Sequence, residues 1–108
     1  MIGREDQDFN SVLIQSIHET VAQLLSPKVA ESLFEHLEKF YSVKEDEIPF
    51  RLDKLLLALE TNFGLRTSRV IGKAIAKRLY TRLGLEFTED VQIGLQGYVE
   101  KVKMTHQK

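Results

Sequence analysis

Apolar residues along this chain return every three or four positions, and the breaks in that rhythm divide it into segments. From Phe9 to Leu25 the residues Phe9, Leu13, Ile17, Val21 and Leu24 keep helical spacing, with Ile14 and Leu25 widening the stripe. Asp8 stands where its carboxylate can cap the free amides of a first turn. Ser26-Pro27 then reads as a restart, serine as N-cap and proline at the first helical position, where its missing N–H is not needed. The second helix turns Val29, Leu33, Phe34, Leu37 and Phe40-Tyr41 inward and Lys28, Glu31, Glu35, Glu38 and Lys39 towards water. So short a connection makes the first two helices antiparallel neighbours.

A third helix is predicted from about Arg51 to Phe63, with Leu52, Leu55, Leu56, Leu59 and Phe63 inward and Gly64 as a left-handed C-cap. Leu57 and Ala58 broaden its apolar face, which marks it as the core helix or as a dimer contact that needs covering. The fourth starts near Thr67 or Ser68 and ends at Leu83-Gly84. Thr88 followed by Glu89-Asp90 has the composition of a fifth start, with Val91, Leu95, Tyr98-Val99 and Val102 as its stripe. Gly94 and Gly97 each cost that helix up to ~1 kcal/mol relative to alanine, so it is expected to be the least stable. Residues 42–49 read as a loop, its acids Glu45, Asp46 and Glu47 solvated and lacking the ligand frame of a calcium loop. Residues 1–8 and 104–108 are expected as disordered tails. No strand pattern and no internal linker occurs, which implies one domain over 1–108, a compact all-α bundle of about five helices.

Composition agrees with that class. In 108 residues, 43% hydrophobic and 29% charged, the balance is that of a folded globular chain. The absence of cysteine removes disulfides, thiolate metal sites and a cysteine nucleophile together. No stretch approaches the roughly 18 apolar residues of a spanning helix, and Met1 to Asp8 is charged rather than a signal peptide. A cytoplasmic chain is expected, with neither membrane insertion nor export.

Charge changes the picture more, because the net value of −1 hides an uneven layout. Residues 31–60 hold eight acids against four bases, whereas 66–82 hold six bases and no acid. At about 100° per residue, Ile71, Gly72, Ile75, Ala76, Leu79 and Leu83 share one arc of the fourth helix. Arg66, Arg69, Lys73 and Lys77 form a basic ridge on another side. Arg78 and Arg82 fall at the opposite margin of the apolar arc, where aliphatic stems cover core and heads reach water. The ridge is either a solvated face paired with acids such as Glu31, Glu35 and Glu38, or a surface for an acidic partner.

Catalytic patterns do not emerge. His18-Glu19 opens like a zinc-protease signature, but Ala22 stands where the second histidine must be. His36 adjoins Glu35 and Glu38 on a helix face and His106 lies near the expected frayed end, so no metal ligands are assigned. The serines lack a glycine-framed elbow, and the glycines lack P-loop or dinucleotide spacing. A non-enzymatic chain with no cofactor is expected. Three binding readings remain: a module that contacts a protein or a second copy of itself, a nucleic-acid binder, and a lipid binder. The nucleic-acid reading takes residues 51–83 as a helix-turn-helix whose second helix offers Arg66, Thr67, Ser68 and Arg69, extended by Lys73 and Lys77.

The segments LIQSIHETV, SPKVAESLFEHLEKFY, EDEIPFRLDKLLLALETNFG and IAKRLYTRLG, within Leu13 to Leu83, resemble a small family of archaeal helical domains of unknown function. That family is described as output modules of signal-transduction proteins in ammonia-oxidising archaea. Its marks here are the Ile48-Pro49-Phe50 helix entry and the Phe63-Gly64 and Leu83-Gly84 stops. The resemblance implies an archaeal, cytoplasmic regulatory or binding domain and carries over no catalytic residue. A saposin-like arrangement, with lipid against the apolar faces, is the remaining architecture, though without the usual disulfides.

Overall fold

The computed structural model describes the backbone of residues 2–106 and the side chains of residues 9–104. Within them the fold is all-α: α1 (Ile2–Leu24), α2 (Pro27–Tyr41), a 3-10 turn (Glu45–Phe50), α3 (Leu52–Phe63), α4 (Leu65–Arg82) and α5 (Leu95–His106). Met1, Gln107 and Lys108, expected in the tails, lie outside the described residues. The backbone of 2–8 continues α1, so Asp8 falls inside that helix rather than capping it. Between Ile2 and Asp8 the good helix formers Arg4, Glu5 and Gln7 offset Gly3 and the weaker Asp6 and Asp8.

Ser26 does cap α2, its Oγ accepting from Val29 N at 3.0 Å, with Pro27 following at the first turn. His18 of α1 stacks on Phe34 of α2 at 5.1 Å, and residues so placed about the Leu25-Ser26 corner require antiparallel helices. α2 stops at Ser42, held left-handed at φ 57°, while Val43 N donates to Leu37 O at 3.1 Å. That closure turns Val43 into the core. The expected solvated loop is therefore a folded segment: Val43, Ile48 and Pro49 are buried, while Ser42, Lys44 and the acids Glu45, Asp46 and Glu47 remain in water.

The core closes on Leu13, Ile17 and Val21 of α1, Leu33 and Leu37 of α2, Leu55 and Leu59 of α3, and Ile71, Ile75 and Leu79 of α4. Leu24, expected on the apolar stripe of α1, is the last residue of that helix and is 48% exposed. On α3 the broad apolar face is covered by α2, α4 and the 3-10 turn, leaving Leu57 outside. α1 packs on α2 and α4, and α3 also packs on α2 and α4, so the first four helices form a ring in which α2 and α4 occupy opposite corners.

Gly64 serves as the C-cap of α3 and the N-cap of α4 together, at φ 90° and ψ 162°. The positive φ suits glycine, but ψ lies outside the left-handed helical well predicted for it. Because one residue makes the turn, α4 starts at Leu65 rather than at Thr67. Gly72 faces α5, where a Cβ would sit 3.7 Å from Leu95 Cβ, ordinary contact distance.

The largest departure from the periodicity lies between α4 and α5. Thr88 caps nothing; residues 85–94 run without regular helix, and Val91 is 89% exposed. Asp90 organises this segment instead. Its N–H donates to Tyr98 Oη at 2.7 Å, its carbonyl accepts from the same hydroxyl at 3.1 Å, and its Oδ1 accepts from Gln92 N at 3.0 Å. An aspartate that binds its own backbone two residues on favours a turn over a helix start. Phe87 packs between Tyr80 and Tyr98, at 5.4 and 5.0 Å between ring centroids, and Tyr80 Oη donates to Tyr98 O at 2.9 Å. Burial, and then the neighbouring Tyr98, raises the Tyr80 hydroxyl above its ordinary value. Gly97, expected as a weakness of α5, is where Ile93 packs: a Cβ there would come within 2.7 Å of Ile93 Cβ.

Candidate interaction surface on α4

α4 is held on three sides, by α1, α3 and α5. Ser68, Ile71, Gly72, Ile75, Ala76, Leu79 and Tyr80 are buried by those contacts. Along the outer side runs one strip, Arg66, Arg69, Val70, Lys73, Lys77 and Thr81, all exposed. The helical spacing that predicted the ridge thus places Arg66, Arg69, Lys73 and Lys77 on the outside together. Thr67 is also exposed. Ser68 is not: at 3% exposure it faces the core and is removed from the set of contact residues. Its position in the wheel, one turn before Ile71-Gly72 and Ile75, put it on the buried arc, a signal available in the periodicity.

Among the described residues the ridge is not neutralised by α2. Glu31, Glu35 and Glu38 stand exposed on the outer side of α2, and no ion pair joins them to Arg66, Arg69, Lys73 or Lys77. Lys73 alone is paired, its Nζ 2.9 Å from Glu89 Oε2 in the segment that Asp90 and Tyr98 hold in place. Arg66, Arg69 and Lys77 have no acidic partner among the described residues.

The other two bases of α4 are committed. Arg78 Nε donates to Thr20 Oγ1 at 3.1 Å, its Nη1 lies 3.5 Å from Glu19 Oε1, and its Nη2 donates to Gln23 Oε1. Arg82 Nη2 donates to the same Glu19 carboxylate. Successive partners run up α1 and down α4, so the two helices are antiparallel. Glu19, placed by the sequence only in a failed metal motif, is the acid that ties them.

The free end of α4 adds its own field. Its first turn contains no acidic residue and Gly64 supplies no side-chain cap, leaving the opening amides without intrahelical acceptors and the positive end of the helix dipole beside Arg66 and Arg69. Two large apolar side chains share this end: Leu65 is 53% and Val70 55% exposed. Val70 falls beside the basic ridge, whereas Leu65 shares the apolar arc with Gly72, Leu79 and Leu83 and yet stays exposed at the first position of the helix. One turn further on, Ala74, Lys77, Arg78 and Thr81 face Thr20, Gln23 and Leu24 across a shallow groove between α4 and α1.

The histidines take other places. His18 packs on Phe34, His36 lies against Phe40 and Tyr41, and the His106 side chain is outside the described residues. Among the described residues no three His, Asp or Glu side chains gather as a metal site, and no helix is long and apolar enough to cross a membrane. Compared with protein-family models, with curated proteins and with solved structures, the chain finds no match.

Proposed function

We propose that this chain is a non-enzymatic interaction module, regulatory as its family resemblance implies, that binds an acidic protein segment along the exposed strip of α4. The observation that carries the reading is the pairing of kinds at one end of the helix. Arg66 and Arg69 are exposed and lack an acidic partner among the described residues, and Leu65 and Val70 are exposed beside them. Apolar anchors set among arginines suit a protein interface, where a desolvated centre is rimmed by polar contacts.

Duplex DNA is the rival occupant, since α3 and α4 are consecutive helices and the ridge is basic. Three features weigh against it. The one-residue turn at Gly64 is tighter than the three or four residues of a helix-turn-helix, Ser68 is unable to reach a base edge, and the chain's net charge of −1 gives no general attraction to phosphate. A lipid reading would use the apolar faces that Leu13, Ile17, Leu55 and Ile75 bury in the core, and so would require the bundle to open.

Titration of the protein with a glutamate-rich amphipathic helical peptide, and separately with duplex DNA, separates these readings. The proposal expects peptide binding that Arg66→Ala/Arg69→Ala weakens by ~10-fold or more, about 1.4 kcal/mol, and weak, ridge-independent DNA binding. DNA binding with a log–log salt slope near −3.6, as about four phosphate contacts give, that flattens in the variant would overturn it in favour of nucleic acid.

A further inference from the structure

The chain carries its own match for the α4 ridge. On α2, Glu31, Glu35 and Glu38 recur at steps of four and three, so their carboxylates line one strip of about 10 Å on the outer face. All three are exposed and none has an ion-pair partner among the described residues. Arg66, Arg69, Lys73 and Lys77 make a strip of about 16 Å on α4. Lys28 and Lys39 border the acidic strip rather than dividing it. Within one molecule the two strips are kept apart, because α2 and α4 stand at opposite corners of the helix ring, each packed on α1 and α3.

We propose that the acidic segment taken by α4 is α2 of a second copy of this chain, laid with Glu31, Glu35 and Glu38 along Arg66, Arg69, Lys73 and Lys77; this rests on the reading of α4 as a contact surface. Net charge supports it: at −1 two copies barely repel, while the uneven layout gives each an attractive orientation. The geometry also fixes the kind of assembly. Strips on opposite corners point away from each other, so one pair of copies does not satisfy both contacts reciprocally. The contact is heterologous, head to tail, and continues into rings or open chains.

Charge reversal tests this with its own control. One variant carries Arg66→Glu, Arg69→Glu, Lys73→Glu and Lys77→Glu; the other carries Glu31→Lys, Glu35→Lys and Glu38→Lys; circular dichroism and urea unfolding establish that each is folded. Sedimentation of the unaltered chain is expected to show weight-average mass rising with concentration past that of a dimer at ~0.01 M salt, where the Debye length is ~30 Å, and returning to monomer at ~1 M, where it is ~3 Å. Each variant alone stays monomeric, and their equimolar mixture associates again, because every contact in an alternating chain then joins opposite charges. A wild-type chain that is monomeric at every concentration, growth that stops at a dimer, or a mixture that fails to associate overturns the proposal. The same samples titrated with the glutamate-rich peptide keep the two readings separate. Peptide binding by a chain that never self-associates leaves the α4 surface standing and removes the second copy; absence of both removes both.

Discussion

In the C-terminal half of α4, Arg78 and Arg82 reach across to Glu19, Thr20 and Gln23 of α1, whereas in the N-terminal half Arg66 and Arg69 meet no described acid. The residue types match and the roles do not. At one end the guanidinium stems lie along a neighbouring helix and their heads are tied to it. At the other, the chain has turned within the single residue Gly64, and α1 has already ended at Leu24, so α1 does not run beside the first turn, where only Ser68 faces the core. Basic residues on a helix therefore do not define a surface; the elements that run alongside them decide which ones stay available.

Substitutions that break the bound half while sparing the open one give the sharpest contrast. Leu79, fully buried in the C-terminal half, is expected to lose about 2–5 kcal/mol on Leu79→Ala, while Val70→Ala in the open half changes stability by no more than ~0.5 kcal/mol. Urea unfolding of the pair measures both. A Val70 cost as large as that of Leu79 would mean that the open half is packed as tightly as the bound one.

Tyr98→Phe comes next. It leaves the N–H and carbonyl of Asp90 without their hydroxyl partner and is expected to cost about 1–3 kcal/mol. Amide exchange at Asp90 should accelerate, and the Lys73–Glu89 pair, held by that segment, should loosen with it. Unaltered exchange would place the anchoring of residues 85–94 in the Phe87 packing alone.

Gly72, near the boundary between the halves, works in the other direction. A Cβ meets only ordinary contacts there, 3.7 Å from Leu95 Cβ and 4.0 Å from Leu56 Cδ2. Gly72→Ala should stabilise the protein by ~0.5–1 kcal/mol, the helix-propensity gain; destabilisation in thermal unfolding would show that α5 needs the closer approach. The smallest effect belongs to the ion pairs themselves. Glu19→Gln is expected to cost ~0.2–1 kcal/mol, since both of its partners are partly solvated. Arg66→Ala/Arg69→Ala is expected to cost nothing measurable in the free protein.

Much of the fold was legible in the chain because helical spacing and local stops are local signals. Ser26-Pro27 marked the start of α2, and of the inward set read on α3 Leu52, Leu55 and Leu59 are buried while Leu56 and Phe63 pack half-buried against the core. Legibility failed where a distant partner decided the structure. Thr88-Glu89-Asp90 has the composition of a helix start, but Tyr98 captures both backbone groups of Asp90 and holds the segment irregular. Val43 and Ile48 looked like loop residues until the left-handed Ser42 turned the chain back over the core. The ridge was readable as a stripe. That Ser68 turns inward was also in the wheel, whereas the commitment of Arg78 and Arg82 required knowing that Glu19 of α1 runs beside them.

The most direct measurement compares the halves as binding surfaces. The glutamate-rich helical peptide is titrated, at low salt, into the unaltered protein, into Arg66→Ala/Arg69→Ala and into Arg78→Ala/Arg82→Ala. Loss of affinity by ~10-fold or more, about 1.4 kcal/mol, in the first variant with little change in the second is the predicted result. Equal losses in both, or loss confined to the Arg78/Arg82 variant, would contradict the assignment of the open half of α4 as the contact surface.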